Sequence, residues 1–144
     1  MDELRRAADL LGLSLSAGAK ASDVTYLDLI RYGLPIRALD RISKIVAPSD
    51  ARFKYRIVPR ARLTRYVKGR GRLCATESVL IMRLASVWLA SIHIWKSHEV
   101  NREFLFRPHP VFAGRCPLDL VLSNEFGAAL VRQELGRLEA GTAV

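Results

Sequence analysis

Residues that usually carry chemistry are scarce in this chain, and their placement excludes most enzymes. There are two cysteines, Cys74 and Cys116, with no CxxC spacing and no disulfide framework. A reducing, cytoplasmic setting fits them, with both as small core residues. Of the three histidines, His93 and His98 stand five residues apart. That is about 140° around a helix, so they do not converge on a metal. His109 sits between two prolines. There is no carboxylate pair, no Cys/His couple and no HExxH, so the expectation is no enzyme, no metal and no cofactor. Gly69-Arg70-Gly71 is a bare GxG between helices, and no glycine-rich phosphate loop follows a strand. Period-two alternation is nearly missing, which excludes a sheet and leaves an all-α fold. The N-terminus has no charged start followed by an apolar run, so no signal peptide is expected.

Acidic residues are missing where basic ones are densest. Residues 1–30 carry three basic and five acidic side chains, and residues 73–144 carry seven of each. Residues 31–72 carry thirteen basic and two acidic, so the whole excess of the +9 net charge lies in this block. A charge run is often a solvated face. Clustering on one segment, nearly free of acids, is instead the electrostatic footprint of nucleic-acid binding.

Half of the residues are hydrophobic, enough for a core in a chain of 144. Asp2 to Leu11 reads as an amphipathic helix with Leu4, Ala7, Ala8 and Leu11 on one side, and Leu15 to Ser22 as a small-residue linker. A short helix from Thr25 ends at Gly33. Pro35 starts another, with Ile36, Leu39, Ile42, Ile45 and Val46 at helical spacing, and Pro48 stops it. Ser49 is suited to cap a third helix, Asp50 to Ile57, and Pro59 to open a fourth, Pro59 to Lys68, ended by Gly69. Short helices joined by tight turns are the grammar of a helix-turn-helix. The expected organisation is an arm (1–24), a helix-turn-helix-like DNA-binding segment (25–74) and a helical C-terminal domain (75–144).

The fourth helix is the candidate recognition helix. With Leu63 buried, Tyr66 and Val67 fall on its side, while Ala61, Arg65 and Lys68 point away and Arg62 lies on the flank. Arg62 and Arg65 are placed to reach guanine or phosphate. Arg60, Arg70 and Arg72 fit phosphate contacts that position without reading sequence.

Ala75 to Lys96 is the longest helix, with Thr76 and Glu77 suited to its first turn, and is apolar nearly all round. A membrane span would carry Arg83 near its middle, at a cost of about 2.5–3.5 kcal/mol. A buried central helix or dimer seam carries no such cost, so no membrane is expected. Glu99 to Phe106 is a further helix. Arg107-Pro108-His109-Pro110 is forced into an extended bend, Pro117 opens a helix, Ser123 is suited to cap another, and Gly141 to end it.

The order Leu73, Glu77-Ser78, Arg83-Leu84-Ala85, Phe104-Leu105, Arg107-Pro108-x-Pro110, Gly114-Arg-x-Pro117-Leu-Asp-Leu120, Glu125-Phe-Gly127, Val131, Leu135-Gly-Arg-Leu-Glu139 and Gly141 resembles the Xre/MbcA/ParS antitoxin family over about residues 25–144. The motifs GRxPLDL and EFGxxxV…LGRxExG carry the resemblance. Tyr66 stands where the family usually has arginine, and Cys116 where it has threonine or serine.

The resemblance implies an antitoxin of a two-gene module. Its cognate partner would be a RES-domain toxin that degrades NAD⁺, blocked at its active site by the C-terminal toxin-binding domain and tail. It also implies a homodimer that represses its own operon by binding operator DNA. Carried onto this chain, the toxin-facing residues are Arg107, Gly114, Arg115, Pro117, Arg137, Glu139, Gly141 and the tail to Val144. For Gly114, Pro117 and Gly127 the favoured roles are structural: turn, helix start and close packing. The alternative from another class is a DNA-binding transcriptional regulator with no toxin partner.

Overall fold

A computed structural model describes residues 2–13, 22–69 and 71–142, and the described residues are all-α. They form eight α-helices and two short 3-10 turns, with one isolated bridge, His109 to Arg115, in place of any strand. The chain divides into two compact units, Met1–Ala85 and Ser86–Val144, the division falling within its longest helix.

In the first unit, α1 (Asp2–Leu10) buries Ala7, Ala8 and, just beyond its end, Leu11, the face that helical spacing predicts. Arg41 Nε donates to the Leu10 carbonyl at 3.2 Å and so satisfies one of the oxygens that a helix end leaves open. The expected linker lies, up to residue 21, outside the described residues. α2 (Asp23–Tyr32) starts two residues before Thr25, because Ser22 and Thr25 form a reciprocal capping box. α3 (Ile36–Val46) follows Pro35 and buries Ala38, Leu39, Ile42 and Val46.

The turn between α2 and α3 requires glycine. Gly33 has φ +113°, and a Cβ there would lie 2.3 Å from the Leu73 carbonyl oxygen. The next residue is held from both sides. Leu34 N–H donates to the buried Ser78 hydroxyl at 2.9 Å, and Leu73 N–H donates to the Leu34 carbonyl at 2.9 Å.

The helix expected over Asp50 to Ile57 does not form; the segment makes only a 3-10 turn, Phe53–Arg56. Asp50 accepts the Arg52 N–H at 2.9 Å, a local turn that competes with a helical cap, and Phe53, Ile57 and Val58 are all buried. α4 (Arg60–Lys68) does form, entered through Pro59 and closed by Gly69. Its burial differs from expectation at Val67, which is 62% exposed. The packed side of α4 runs through Leu63, Arg62 and Tyr66 towards the start of α5 (Ala75–Trp95), which turns Val67 outward. The N-terminal part of α5 buries Glu77, Ser78, Ile81, Met82, Leu84 and Ala85.

In the second unit, the rest of α5 buries Val87, Trp88 and Ser91. By length and composition alone α5 could cross a membrane, yet half of its most apolar stretch is buried within the protein. Lys96, at φ +58°, ends it, and Ser97 caps α6 (His98–Phe106). Asn101 on α6 is fully buried but satisfied: it donates to the Trp88 carbonyl at 3.3 Å and accepts the Ser91 hydroxyl.

A tight connection follows. Pro110–Phe112 makes a 3-10 turn, Ala113 and Gly114 take positive φ, and Gly114 N–H returns to the His109 carbonyl at 2.9 Å. α7 (Pro117–Ser123) begins on a buried proline. Asn124, not Ser123, caps α8 (Glu125–Thr142), its side-chain oxygen accepting the Gly127 N–H at 2.9 Å. Ser123 is the last residue of α7 and turns its hydroxyl back to the Asp119 carbonyl at 2.6 Å. Gly141 lies within the last turn of α8 and does not end it. Gly127 is where α8 meets α7: a Cβ there would lie 2.0 Å from the Leu120 carbonyl oxygen.

Candidate functional site

The first unit carries the basic residues expected to meet DNA, and three of the five that are described already hold a partner. Arg60 stacks on the Tyr55 ring at 4.3 Å. Arg72 donates to the Gly33 carbonyl at 3.0 Å and stacks on the Tyr32 ring at 4.6 Å, so it braces the α2–α3 turn. Arg62 forms an ion pair with Glu77 at 2.9 Å. The side chains of Arg65 and Lys68 are exposed on α4 with no hydrogen bond or ion pair to any described residue. Arg70 lies outside the described residues.

From the sequence, Glu77 stands out as an acid suited to a helix start and as part of the Glu77-Ser78 pair in the family resemblance. In the fold it is 4% exposed and accepts from four donors. Arg62 reaches one oxygen; the Tyr66 hydroxyl at 3.0 Å and the Cys74 N–H and thiol at 3.3 and 3.1 Å reach the other. Burial pushes its carboxyl upward, but the hydrogen bonds from Cys74, Tyr66 and Arg62 outweigh that and hold it below the ordinary carboxylate range. Burial, followed by the hydrogen bond to Glu77, raises the Tyr66 phenol. The Glu77 hydrogen bond raises Arg62 further.

The cysteines are not core residues as expected. Both are half-buried thiols in no disulfide, and each donates to an oxygen: Cys74 to Glu77, and Cys116 to the Phe106 carbonyl at 3.3 Å. Among the described residues, no group of three His, Cys, Asp or Glu could hold a metal ion.

The second unit carries a groove of about 450 Å³ between the Pro110–Phe112 turn, α7 and α8. Its apolar lining includes Val111, Phe112, Leu120 and Leu130, and its polar side Arg115, Glu134 and Arg137. Val111 and Leu130 are each about half exposed, so the apolar lining is open to solvent. Arg137 is steadied by Glu134 at 2.9 Å. The turn that presents Arg115 is fixed by the hydrogen bond from His109 N–H to the Arg115 carbonyl at 3.2 Å. His109 is itself held through its ring, which meets the Phe104 carbonyl at 3.0 Å and packs between Phe104 and Phe112.

Of the residues expected to face a toxin, the groove brings together Arg115 and Arg137. Gly114 stands beside Arg115 in the turn, at φ +80°. The others lie elsewhere. Arg107 pairs with Glu103 at 4.0 Å by a smaller hollow lined by Trp95, Phe104 and His109. Glu139 pairs with His93 at 3.2 Å. Gly141 is exposed in the last turn of α8, Pro117 is buried, and Val144 lies outside the described residues.

Residues 90–141 match the family model of the antitoxin Xre/MbcA/ParS C-terminal toxin-binding domain. The matched span takes in the connection after α6, α7 and nearly all of α8, and so contains the groove. No curated protein matches the chain.

Proposed function

We propose, from a chain whose residues 90–141 form an Xre/MbcA/ParS-type toxin-binding domain, that the protein is an antitoxin neutralising a cognate RES-domain toxin. The observation that carries this reading is the groove inside the matched span, where an apolar floor is flanked by two guanidinium groups. Such a surface suits a hydrophobic side chain of the partner with carboxylates beside it. Arg–carboxylate pairs are charge-assisted and bidentate, and arginine is enriched among residues that dominate interfaces. Inhibition of another protein's active site needs a rigid surface and a reachable end, and the chain's own chemistry plays no part. The end of α8 and the tail beyond it, Arg137 to Val144, supply the inhibitory contact in this reading.

The same reading gives the basic block of residues 31–72 to operator DNA, with the protein acting as a homodimer that represses its own operon. Its support is the charge excess and the exposed Arg65 and Lys68. Without a toxin partner, the protein would be a plain DNA-binding regulator.

Co-expression with the product of the adjacent gene tests the proposal. The neighbour should arrest growth and deplete NAD⁺ when expressed alone, and be silent when this protein is present. A neighbour that is harmless by itself would sink the antitoxin reading. Deleting Gly136–Val144 separates the two alternatives: a plain regulator keeps repressing and loses nothing, whereas an antitoxin stops protecting the cell.

A further inference from the structure

The Glu77 cluster bears on which cations of α4 are free to meet a nucleic acid. Arg62 and Tyr66 stand one turn apart on α4, about 40° around the helix, so one carboxylate holds two positions of one helical face. The carboxylate belongs to the first turn of α5 and also closes the start of that helix through the Cys74 N–H. Arg62 gives Glu77 one N–H, from Nη1, and its side chain is 45% exposed, so only a phosphate that drew the guanidinium away would leave a nearly fully buried carboxylate without its cation. Breaking such a pair from one side is far more costly than keeping it. Arg65 and Lys68 face no such competition.

We infer that Glu77 is the positioning residue of the α4 face. It withdraws Arg62 from nucleic-acid contact, and it fixes the rotation of α4 so that Arg65 and Lys68 are the cations presented. This rests on the proposal that α4 meets DNA. Under it, Arg62 belongs to the scaffold although its sequence position reads as a contact, and Tyr66 works as a second latch on the same carboxylate.

The test is a salt titration of binding to a mixed-sequence DNA duplex by the full chain and by R62Q, R65Q and K68Q. Each phosphate neutralised contributes about 0.9 to the slope of log K against log salt. R65Q and K68Q should each lower the slope by about that amount, and R62Q should leave it unchanged. E77Q, which keeps the shape and loses the charge, should steepen it by about 0.9 as Arg62 becomes available. An R62Q loss equal to that of R65Q overturns the inference and leaves the DNA reading standing. If R65Q and K68Q change nothing, the DNA reading of α4 fails, and the inference falls with it. The deciding comparison is R62Q against R65Q; should R62Q or E77Q alone not fold, the double variant R62Q/E77Q, which leaves no unpaired buried charge, takes the place of R62Q and should likewise keep the native slope.

Discussion

The two units place their arginines differently: in both some are paired, Arg137 with Glu134 among them, but only in the second do two line one apolar groove. In the first, cations are abundant and several are occupied: Arg60 on Tyr55, Arg62 on Glu77, and Arg72 on Gly33 and Tyr32. In the second, the charge is balanced, yet Arg115 and Arg137 are brought to the rim of an apolar groove. Charge density in a sequence is therefore a poor guide to available charge in the fold. The acid-poor block uses cations to brace turns and stack on rings, and presents a smaller set. The neutral unit has few cations, but its turn and helix geometry place two of them together.

Both units depend on a glycine at a close backbone approach, and substituting it tests whether either site survives loss of its frame. Gly127→Ala puts a Cβ 2.0 Å from the Leu120 carbonyl oxygen, where no flexible side chain is available to move. The expected loss is about 3 kcal/mol, the upper end for over-packing, read by chemical denaturation. Toxin binding should go with it, because α7 and α8 both line the groove. Gly33→Ala adds an unfavourable positive φ to its 2.3 Å approach to Leu73, and should cost at least as much in the first unit. A Gly127→Ala protein of unchanged stability would mean that α7 and α8 move apart freely.

Reversing the groove's charge sharpens the comparison next. Arg115→Glu and Arg137→Glu should each weaken toxin binding by about 2 kcal/mol or more, roughly thirtyfold, as measured by titration calorimetry. Both side chains are exposed, so thermal stability should barely change. DNA binding by the first unit should be unaffected. Retained toxin affinity in the double variant would move the docking surface off the groove.

The helices were legible from the chain because their punctuation is local. Gly33, Pro35, Pro48, Pro59 and Gly69 lie at element ends, and the helical spacing of Ala7, Ala8, Leu39 and Ile42 marks buried faces. Gly127 could be read as close packing and Pro117 as a helix start for the same reason. What failed depended on competing local bonds or distant partners. Asp50 turned back on Arg52 where a helix start was expected, and Asn124 took the capping role expected of Ser123. Arg62 read as a surface cation because its partner lies fifteen residues away on another helix. Glu77 read as a helix-start acid for the same reason, since helical periodicity says which side a residue faces and nothing about who waits there. The groove was half-legible: Arg115 and Arg137 were both singled out, but only the fold joins them and separates them from Arg107 and Glu139.

Substitution on α4 gives a smaller effect and bears directly on occupied against available charge. Replacing Arg65 or Lys68 by glutamine should weaken DNA binding at every sequence alike, by about the effect of one phosphate contact, and flatten the salt dependence accordingly. Replacing Arg72 should instead lower stability, since it supports the turn at Gly33 from a distance of 3.0 Å. If the Arg72 variant loses salt dependence at unchanged stability, the distinction drawn between bracing and presented cations fails.

The smallest effect is expected from pH. Glu77 is held below its unfolded pKa, so its network adds stability above the unfolded value, near 4.3, and loses that contribution as pH falls through the lower folded value. Protonation takes the charge off the carboxyl and turns one of its oxygens into a donor, which weakens the bonds from Arg62, Tyr66 and Cys74 and with them the tie of α4 to α5. Burial opposes the ionised form, so the net gain is a difference between opposed effects and stays small. Glu77→Gln should therefore be less stable than the native chain near neutrality, with the gap narrowing below about pH 4 as the native carboxylate protonates. Denaturation midpoints measured across that range decide it. A gap that stays constant with pH would show that the carboxylate's charge contributes nothing to the tie, leaving α4 held by shape and neutral hydrogen bonds. In that case Arg62 would be as available as Arg65, and the contrast between occupied and presented cations would reduce to Arg60 and Arg72 alone.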